Sequence, residues 1–266
     1  MAASDQAKLS STVLLLRDTD SLEVLMVRRH HEIEFASNAL VFPGGKLHEE
    51  DFDPAWSDFI KGDFPAAESA LRIAAIRETY EEAGIILARH KAGGPELENA
   101  LVGPQICARL DPFRRAVDLR EQSFLALIKA HNLALDLDSL IHFGHWITPE
   151  IMPKRFDTHF YLAPLPTGQT AHQDGRETTE ALWLGPEQAL TMEAESRANI
   201  IFPTRMNLKK LLGLKTVEDA ESRFKASDVM TILPKMGKNN AGVSGLFIPE
   251  EAGYGQTFEP LSRIKV

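Results

Sequence analysis

The segment Arg77-Glu78-Thr79-Tyr80-Glu81-Glu82 places three carboxylates beside one guanidinium in a chain of 266 residues. On a helix advancing about 100° per residue, Glu81, Glu78 and Glu82 fall roughly 40°, 100° and 140° round from Arg77. Ile73, Ile76, Tyr80 and Ala83 fall on the other side. One polar face therefore gathers the three acids. Like charges at i,i+4 repel by a few tenths of a kcal/mol (~0.2–0.5) even in solvent, so something should offset that cost. A hard divalent cation does: Mg²⁺ and Mn²⁺ prefer carboxylate and carbonyl oxygens, and Mg²⁺ is commonly shared between a few carboxylates, waters and substrate phosphates. An isolated E-x-x-E-E is ordinarily a solvated acidic face. The elements around this one argue for chemistry.

Thr12-Val13-Leu14-Leu15-Leu16 and Glu23-Val24-Leu25-Met26-Val27-Arg28 are short β-type runs separated by Asp18-Thr19-Asp20-Ser21, the pattern of a hairpin. Ala39-Leu40-Val41-Phe42 is a third run, stopped by Pro43-Gly44-Gly45. An acidic, aromatic-dotted stretch follows, containing Asp51, Asp53, Trp56, Asp58 and Phe59 and punctuated by Pro54, Gly62 and Pro65; it reads as a loop or short helical insertion. A helix is expected from about Ala66 to Ala83, closed by Gly84. Gly93-Gly94-Pro95 introduces helical patterns, especially Leu119 to Ala134. Strand signals return at Leu140 to Thr148, at Arg155 to Leu162 and at Ala181 to Leu184. Pro186 to Ala226 reads as helices, and the glycine-bearing tail after Met230-Thr231-Ile232-Leu233 reads as irregular.

Behind Phe42-Pro43-Gly44-Gly45, the run Arg77 to Ile85 resembles the second half of the Nudix box, G-x5-E-x7-R-E-U-x-E-E-x-G-U with U aliphatic. Arg77, Glu78, Glu81, Glu82, Gly84 and Ile85 match in register, and Thr79 takes the aliphatic slot. The first half departs from the pattern. Six residues on from Gly45 stands Asp51, an acid but not Glu, and the interval from there to Arg77 is far longer than the usual one. An insertion within the box explains this. With Trp146-Ile147-Thr148-Pro149 and Arg155-Phe156-Asp157-Thr158 later, it resembles the Nudix branch that includes the peroxisomal coenzyme A diphosphatases. The likeness runs from about Thr12 to Leu233.

The resemblance implies an α/β Nudix fold, a mixed β-sheet sandwiched between helices. It implies Mg²⁺ or Mn²⁺ as cofactor, held directly by Glu81 and Glu82. Glu78 is implied as a further ligand or as the base acting on water, and the Gly45 carbonyl as another ligand. Arg77 would orient the carboxylates, its partner being Asp51 or Glu68. The implied reaction is attack of a metal-activated water on one phosphorus of a nucleoside diphosphate linked to a variable group X, coenzyme A and acyl-coenzyme A among the candidates. The alternative is a Nudix-fold regulatory module that binds a nucleotide without turnover.

Other residues are weaker candidates. Arg28, Arg29 and Arg155 stand at strand ends, where an arginine fork suits a phosphate. Glu177 and Glu180 lie in the polar loop Gln169 to Glu180, where Nudix enzymes often carry an additional acid. His30, His31, His142, His145 and His159 lack a short metal-binding spacing on one face and read as structural histidines. Trp146 and Trp183 read as core or strand-face residues. Cys107, the single cysteine, reads as a small buried hydrophobe and rules out an intramolecular disulfide framework.

Composition sets the outer bounds. With 44% hydrophobic and 25% charged residues the chain has the balance of a globular protein. The expected organisation is one domain over 1–266: a core at about 10–195, a box insertion at about 46–66, a helical insertion at about 91–135, and a mostly helical extension at about 196–266. A net charge of −9 argues against nucleic acid or anionic membrane as partner, though not against a small phosphorylated ligand. Met1 to Gln6 lacks the basic and apolar regions of a signal peptide, so the cytoplasm is the expected location. The insertions and extension are compatible with a homodimer, which sequence does not show.

Overall fold

The computed structural model describes residues 7–30 and 37–264; Met1 to Gln6 and His31 lie outside them. The first two apolar runs form the expected antiparallel hairpin, β1 (Lys8–Asp18) and β2 (Leu22–Arg29), with Leu16 opposite Val24. Pro43 has no N–H to donate and cuts the third run short. The chain continues as β3 (Leu40–Val41) on β2 and β4 (Gly44–Lys46) on β1. Two 3-10 turns, Glu49–Phe52 and Pro54–Asp58, and the short β5 (Ile60–Lys61) lead into α1 (Ala66–Ala83), which Gly84 ends in the left-handed conformation at φ 70°.

Next come β6 (Ala88–His90), α2 (Pro95–Asn99), α3 (Pro104–Leu110), α4 (Arg114–Asp118), α5 (Phe124–Ala130) and β7 (Leu133–Asp136). Of the helical pattern from Leu119 to Ala134, only the seven residues of α5 form a helix. The Ser123 hydroxyl caps its start by accepting from the Ala126 N–H, and Asn132 at φ 53° turns the chain out of it. Leu133–Asp136 then pairs between β5 and β6 in a small sheet, so strand partners distant in sequence override the local helical pattern.

The strands β8 (Ile141–Ile147), β9 (Phe156–Pro164) and β10 (Thr178–Leu184) return to the main sheet. The helices α6 (Pro186–Ala194), α7 (Phe202–Leu211) and α8 (Val217–Lys225) follow, then β11 (Thr231–Ile232). The tail is not irregular, nor is the extension mostly helical. β12 (Lys235–Lys238), β13 (Ser244–Phe247) and β14 (Phe258–Pro260) form a three-stranded antiparallel sheet. Gly237 and Gly245, which read as breakers, are cross-strand partners covered by the rings of Phe247 and Phe258, and those rings supply the packing that the glycines lack.

The main sheet has eight strands in the order β10-β2-β1-β9-β8-β11, with β3 and β4 alongside β2 and β1. β1 runs parallel to β9, Lys8 opposite Phe156 through to Leu16 opposite Pro164, while β2, β8 and β10 pair antiparallel, so the sheet is mixed. Alternation along β1 divides the core. Val13 and Leu15 pack with Ile73, Ile76 and Tyr80 of α1; Leu14 and Leu16 pack with Met206, Leu208 and Phe224 of α7 and α8. The sheet is thus sandwiched between helices, as an α/β Nudix fold requires.

Gln169 locks the α1 side together. It is buried; its Oε1 accepts from the Ile86 N–H at 3.0 Å, and its Nε2 donates to the carbonyls of Ile86 at 3.0 Å and Val102 at 2.7 Å. Replacing Gln169 with Ala leaves these backbone groups buried and unpaired, an expected loss of about 3 kcal/mol. Urea unfolding should show the transition midpoint falling at unchanged slope.

Candidate active site

Glu78, Glu81 and Glu82 are 7%, 6% and 3% exposed, which excludes a solvated acidic face. All of α1 from Ala70 to Ala83 is buried, on every side. Arg77, 1% exposed, holds two of the acids together. Its Nε and Nη2 donate to the two oxygens of Asp51 at 2.9 and 3.0 Å, in the bidentate geometry that suits a guanidinium. Nη1 donates to Glu78 Oε1 at 2.9 Å and Glu81 Oε2 at 3.0 Å, and Nη2 also to the Lys46 carbonyl at 2.8 Å. The acid facing Arg77 is therefore Asp51. Glu68 instead pairs with Arg72, at 2.7 Å, one turn along α1.

The other wall is Pro43-Gly44-Gly45. The Gly44 N–H donates to Glu82 Oε2 at 2.9 Å. A Cβ on Gly45 would overlap the Glu78 carboxylate, and one on Gly44 would overlap β1 at Ser11 and Thr12, so only glycine lets this turn lie against the acids. Burial raises all three carboxyls, Glu81 to about 8, with Arg77 pulling Glu78 and Glu81 back down and Glu78 pushing Glu82 further up. Burial also opposes the Arg77 charge, but Glu78, Asp51 and Glu81 outweigh it and hold Arg77 protonated.

The carbonyls at the end of α1 have no partners within the helix. Neighbouring segments supply them. Arg114 donates to the Glu81 carbonyl at 2.7 Å, the Thr178 hydroxyl to that of Glu82 at 3.3 Å, and the His172 N–H to that of Ala83 at 3.0 Å. The loop before β10 is tied by Asp174, which accepts from the N–H groups of Glu177 and Thr178 at 2.8 and 2.7 Å. It hangs from the end of the helix that carries the acids.

A cavity of about 490 Å³ opens beside the cluster. Glu78, Glu81, Gly45, Arg29 and Glu177 line it; Arg28, Arg155 and Glu180 are not on its wall. Arg28 and Glu180 face each other across β2 and β10 at 2.6 Å and occupy one another. Arg155 donates from Nε to the Thr148 carbonyl at 3.1 Å. Arg29 keeps a buried Nε with no hydrogen-bond partner among the described residues, a donor suited to an anion. Sequence reasoning missed Lys46, His48, Asp118 and Arg120, which also line the cavity. Arg120 lies 2.8 Å from His48 Nε2, and burial, then Arg77 and Arg120, lower His48 to about 4. Asp118 and Arg120 lie in the segment between Gly84 and β8, far from the box, and no local pattern marks them.

Another wall of the cavity is apolar, with Trp146, Ile147, Met152, Phe160 and Phe202. Trp146 is a buried strand-face residue, as expected, and Trp183 lies under Arg17 against the core. Cys107 is free and half-buried, its thiol pushed up to about 11 by burial.

A family comparison decides the lineage: the NUDT19 Nudix domain family matches residues 61–211. The chain belongs to this family. It is 29% identical over 209 residues to the acyl-coenzyme A diphosphatase NUDT19 of Xenopus laevis, covering 65% of the chain and 55% of that protein. It is 28% identical over 243 residues to its Gallus gallus counterpart, covering 74% and 63%. The chain thus spans 55% to 63% of the length of these relatives. Among solved structures, a Nudix hydrolase from Alicyclobacillus acidocaldarius is similar at a TM-score of 0.67 and 27% identity, covering 85% of this chain and 100% of that one. In this Nudix domain the matched region contains Arg77 and the three glutamates, while Gly45 and Asp51 lie before it and are joined to them by the geometry above.

The two acids once open as partners of Arg77 separate experimentally. Asp51→Ala leaves a buried guanidinium short of its bidentate partner and should cost about 3–5 kcal/mol. Glu68→Ala removes a partly exposed acid whose buried partner Arg72 keeps its bond to the Leu137 carbonyl and a path to solvent, and should cost less, about 1–2 kcal/mol. Equal losses in denaturant unfolding would contradict the assignment.

Proposed function

We propose that this Nudix domain is a Mg²⁺- or Mn²⁺-dependent diphosphohydrolase acting on coenzyme A or an acyl-coenzyme A. The observation that carries the reading is the joint burial of Glu78, Glu81 and Glu82, the first two held on one arginine, beside a cavity with both charged and apolar walls. Asp51, Glu78 and Glu81 face a single guanidinium there and Glu82 takes the Gly44 N–H beside them, an excess of negative charge that a divalent cation neutralises. The donors are all oxygen, which suits Mg²⁺ or Mn²⁺. Glu78, Glu81, Glu82 and the Gly45 carbonyl would hold the ion.

Bound there, the ion supplies charge neutralisation at phosphate oxygens and a lowered pKa for water. The remaining work falls to the chain. Arg77 keeps Glu78 and Glu81 in fixed rotamers. Glu177, on the cavity wall and within electrostatic reach of Glu78 and Glu82, is placed to accept the proton of the attacking water, a role it shares as candidate with Glu78. Arg29, with Lys46 and Arg120, binds phosphate oxygens, and the wall from Trp146 to Phe202 takes the pantetheine arm and its acyl group. Arg28, Arg155 and Glu180 are left out of this site. The curated relatives named acyl-coenzyme A diphosphatases favour this substrate class over other nucleoside diphosphate derivatives.

A panel of coenzyme A, acyl-coenzyme A species of rising chain length, ADP-ribose and a dinucleoside polyphosphate tests the reading, with both products identified by mass. Cleavage between the two phosphorus atoms of coenzyme A substrates is expected, with kcat lower by about 100-fold or more in Glu78→Gln and Glu82→Gln. Turnover at full rate in either variant would remove the site.

The metal can be read separately from turnover. Because burial raises these carboxyls, Glu81 to about 8, the folded metal-free protein keeps protons that the unfolded chain has already released. Its stability from this source is present at low pH and falls as pH rises from the ordinary carboxylate range through about 8. A cation needs the ionised acids, so the rise in Tm produced by Mg²⁺ should grow between pH 6 and 8.5. An increment that shrinks over that interval argues against metal at this cluster.

A further inference from the structure

Register across two strands creates what spacing along one strand hides. His145 on β8 stands opposite His159 on β9, and Asp157 follows opposite Ile147. Phe156, Thr158 and Phe160 line the cavity, so Asp157 and His159 project from the other face of the sheet. There His145 Nε2 lies 2.5 Å from Asp157 Oδ1, and His159 Nε2 lies 3.9 Å from the same oxygen. The two imidazoles stack with centroids 3.9 Å apart and planes at 22°. We propose that His145, Asp157 and His159 form a second metal site, separate from the glutamate cluster, for Zn²⁺ or a similar borderline transition metal.

The geometry fits such an ion. Tetrahedral zinc with bonds of about 2.0–2.1 Å has neighbouring ligand atoms about 3.4 Å apart. The 2.5 and 3.9 Å separations bracket that value, so small side-chain rotations complete the site. A ligating imidazole also needs its second nitrogen fixed. His145 Nδ1 lies 2.8 Å from Thr231 Oγ1 on β11, and His159 Nδ1 lies 3.2 Å from His142 Nε2. In the neutral tautomer with its proton on Nε2, His145 donates to Asp157 while Nδ1 accepts from the Thr231 hydroxyl. With metal, the Nε2 lone pair turns to the ion, the ring proton sits on Nδ1, and the hydroxyl becomes the acceptor. Two nitrogens and one oxygen leave a fourth position for solvent, in keeping with side chains that are 16%, 26% and 17% exposed.

Ligand chemistry separates the two sites. Imidazole selects zinc, copper or nickel, whereas an all-oxygen cluster selects Mg²⁺ or Mn²⁺. Position suggests a staple. The ion ties β8 to β9 and, through Thr231, holds β11, whose pairing with β8 rests on Thr231 and Ile232 alone.

The test uses the full chain with excess Mg²⁺ present and Co²⁺ as a spectroscopic substitute for zinc. We expect one tightly bound equivalent with visible ligand-field absorption, displaced by Zn²⁺, kept in Glu82→Gln and absent in His159→Ala. Thr231→Val, at an exposed position, should weaken binding by about 10-fold or more. Should His159→Ala not fold, the wild-type protein still decides. Modification of His145 and His159 by diethylpyrocarbonate, located by mass spectrometry, should be suppressed by Zn²⁺ and not by Mg²⁺. A cobalt spectrum that persists in His159→Ala or disappears in Glu82→Gln, or histidine modification indifferent to Zn²⁺, overturns the proposal.

Discussion

The buried guanidinium of Arg77 is the interaction on which the architecture of this domain turns. A charge enclosed at 1% exposure is costly unless every donor is matched, and here the matching is complete. Asp51 takes two donors, Glu78 and Glu81 share a third nitrogen, and the Lys46 carbonyl fixes the strand that carries Gly45. One side chain therefore joins three parts of the sequence: the strand after Pro43, the insertion that bears Asp51, and the helix that bears the acids. Without it, nothing would hold Glu78 and Glu81 at this separation, because each carboxylate favours solvent over its neighbour.

That arrangement sacrifices stability for a defined charge. Three acids raised by burial are poor companions in a core, and the surrounding structure is correspondingly over-determined. The last carbonyls of α1 are each claimed by a separate segment, through Arg114, Thr178 and His172. Asp174 organises the loop that ends at Glu177, and Gln169 bridges Ile86 and Val102 behind it. These contacts reach the backbone of Glu81, Glu82 and Glu177, and none takes a candidate ligand's carboxylate oxygen. They fix the end of the helix so that the acids cannot relax apart, which is how a site that resists its own charge persists.

Much of this was legible from the residues. The period of α1, its closing glycine and the acids on one face all follow from local rules, and the Pro43-Gly44-Gly45 stop gave the turn that faces them. The choice between Asp51 and Glu68 was not legible, since an insertion separates Asp51 from Arg77 along the chain and only the fold shows which acid is near. Glu180 and Arg28 looked like separate candidates because strand pairing, which sets them against each other, is not written in either strand. The same limit hid the contact of His145 with His159, and it turned Leu133–Asp136 and the Gly237 to Gly245 segment from apparent helix and coil into strands. Each miss concerns a partner distant in sequence.

The C-terminal region deserves to be counted with the site rather than as an appendage. Trp146 on the cavity wall donates from Nε1 to the Tyr254 hydroxyl at 3.0 Å, and that hydroxyl donates to the buried Asn207 on α7 at 2.9 Å. Leu246 of β13 and Ile264 line the same cavity. The ion pair of Arg205 with the fully buried Glu259, at 2.7 Å, anchors β14 to α7 beneath them. The box supplies Glu78, Glu81 and Gly45 to the charged wall, which Arg29, Asp118, Arg120 and Glu177 complete, and the segments after residue 200 supply part of the apolar one. In the proposed diphosphohydrolase, the acids and part of the apolar wall therefore come from parts of the chain that pack on opposite faces of one sheet. A change in β12 to β14 would leave Glu78 and Glu81 where Arg77 holds them while altering the shape of the cavity beside them.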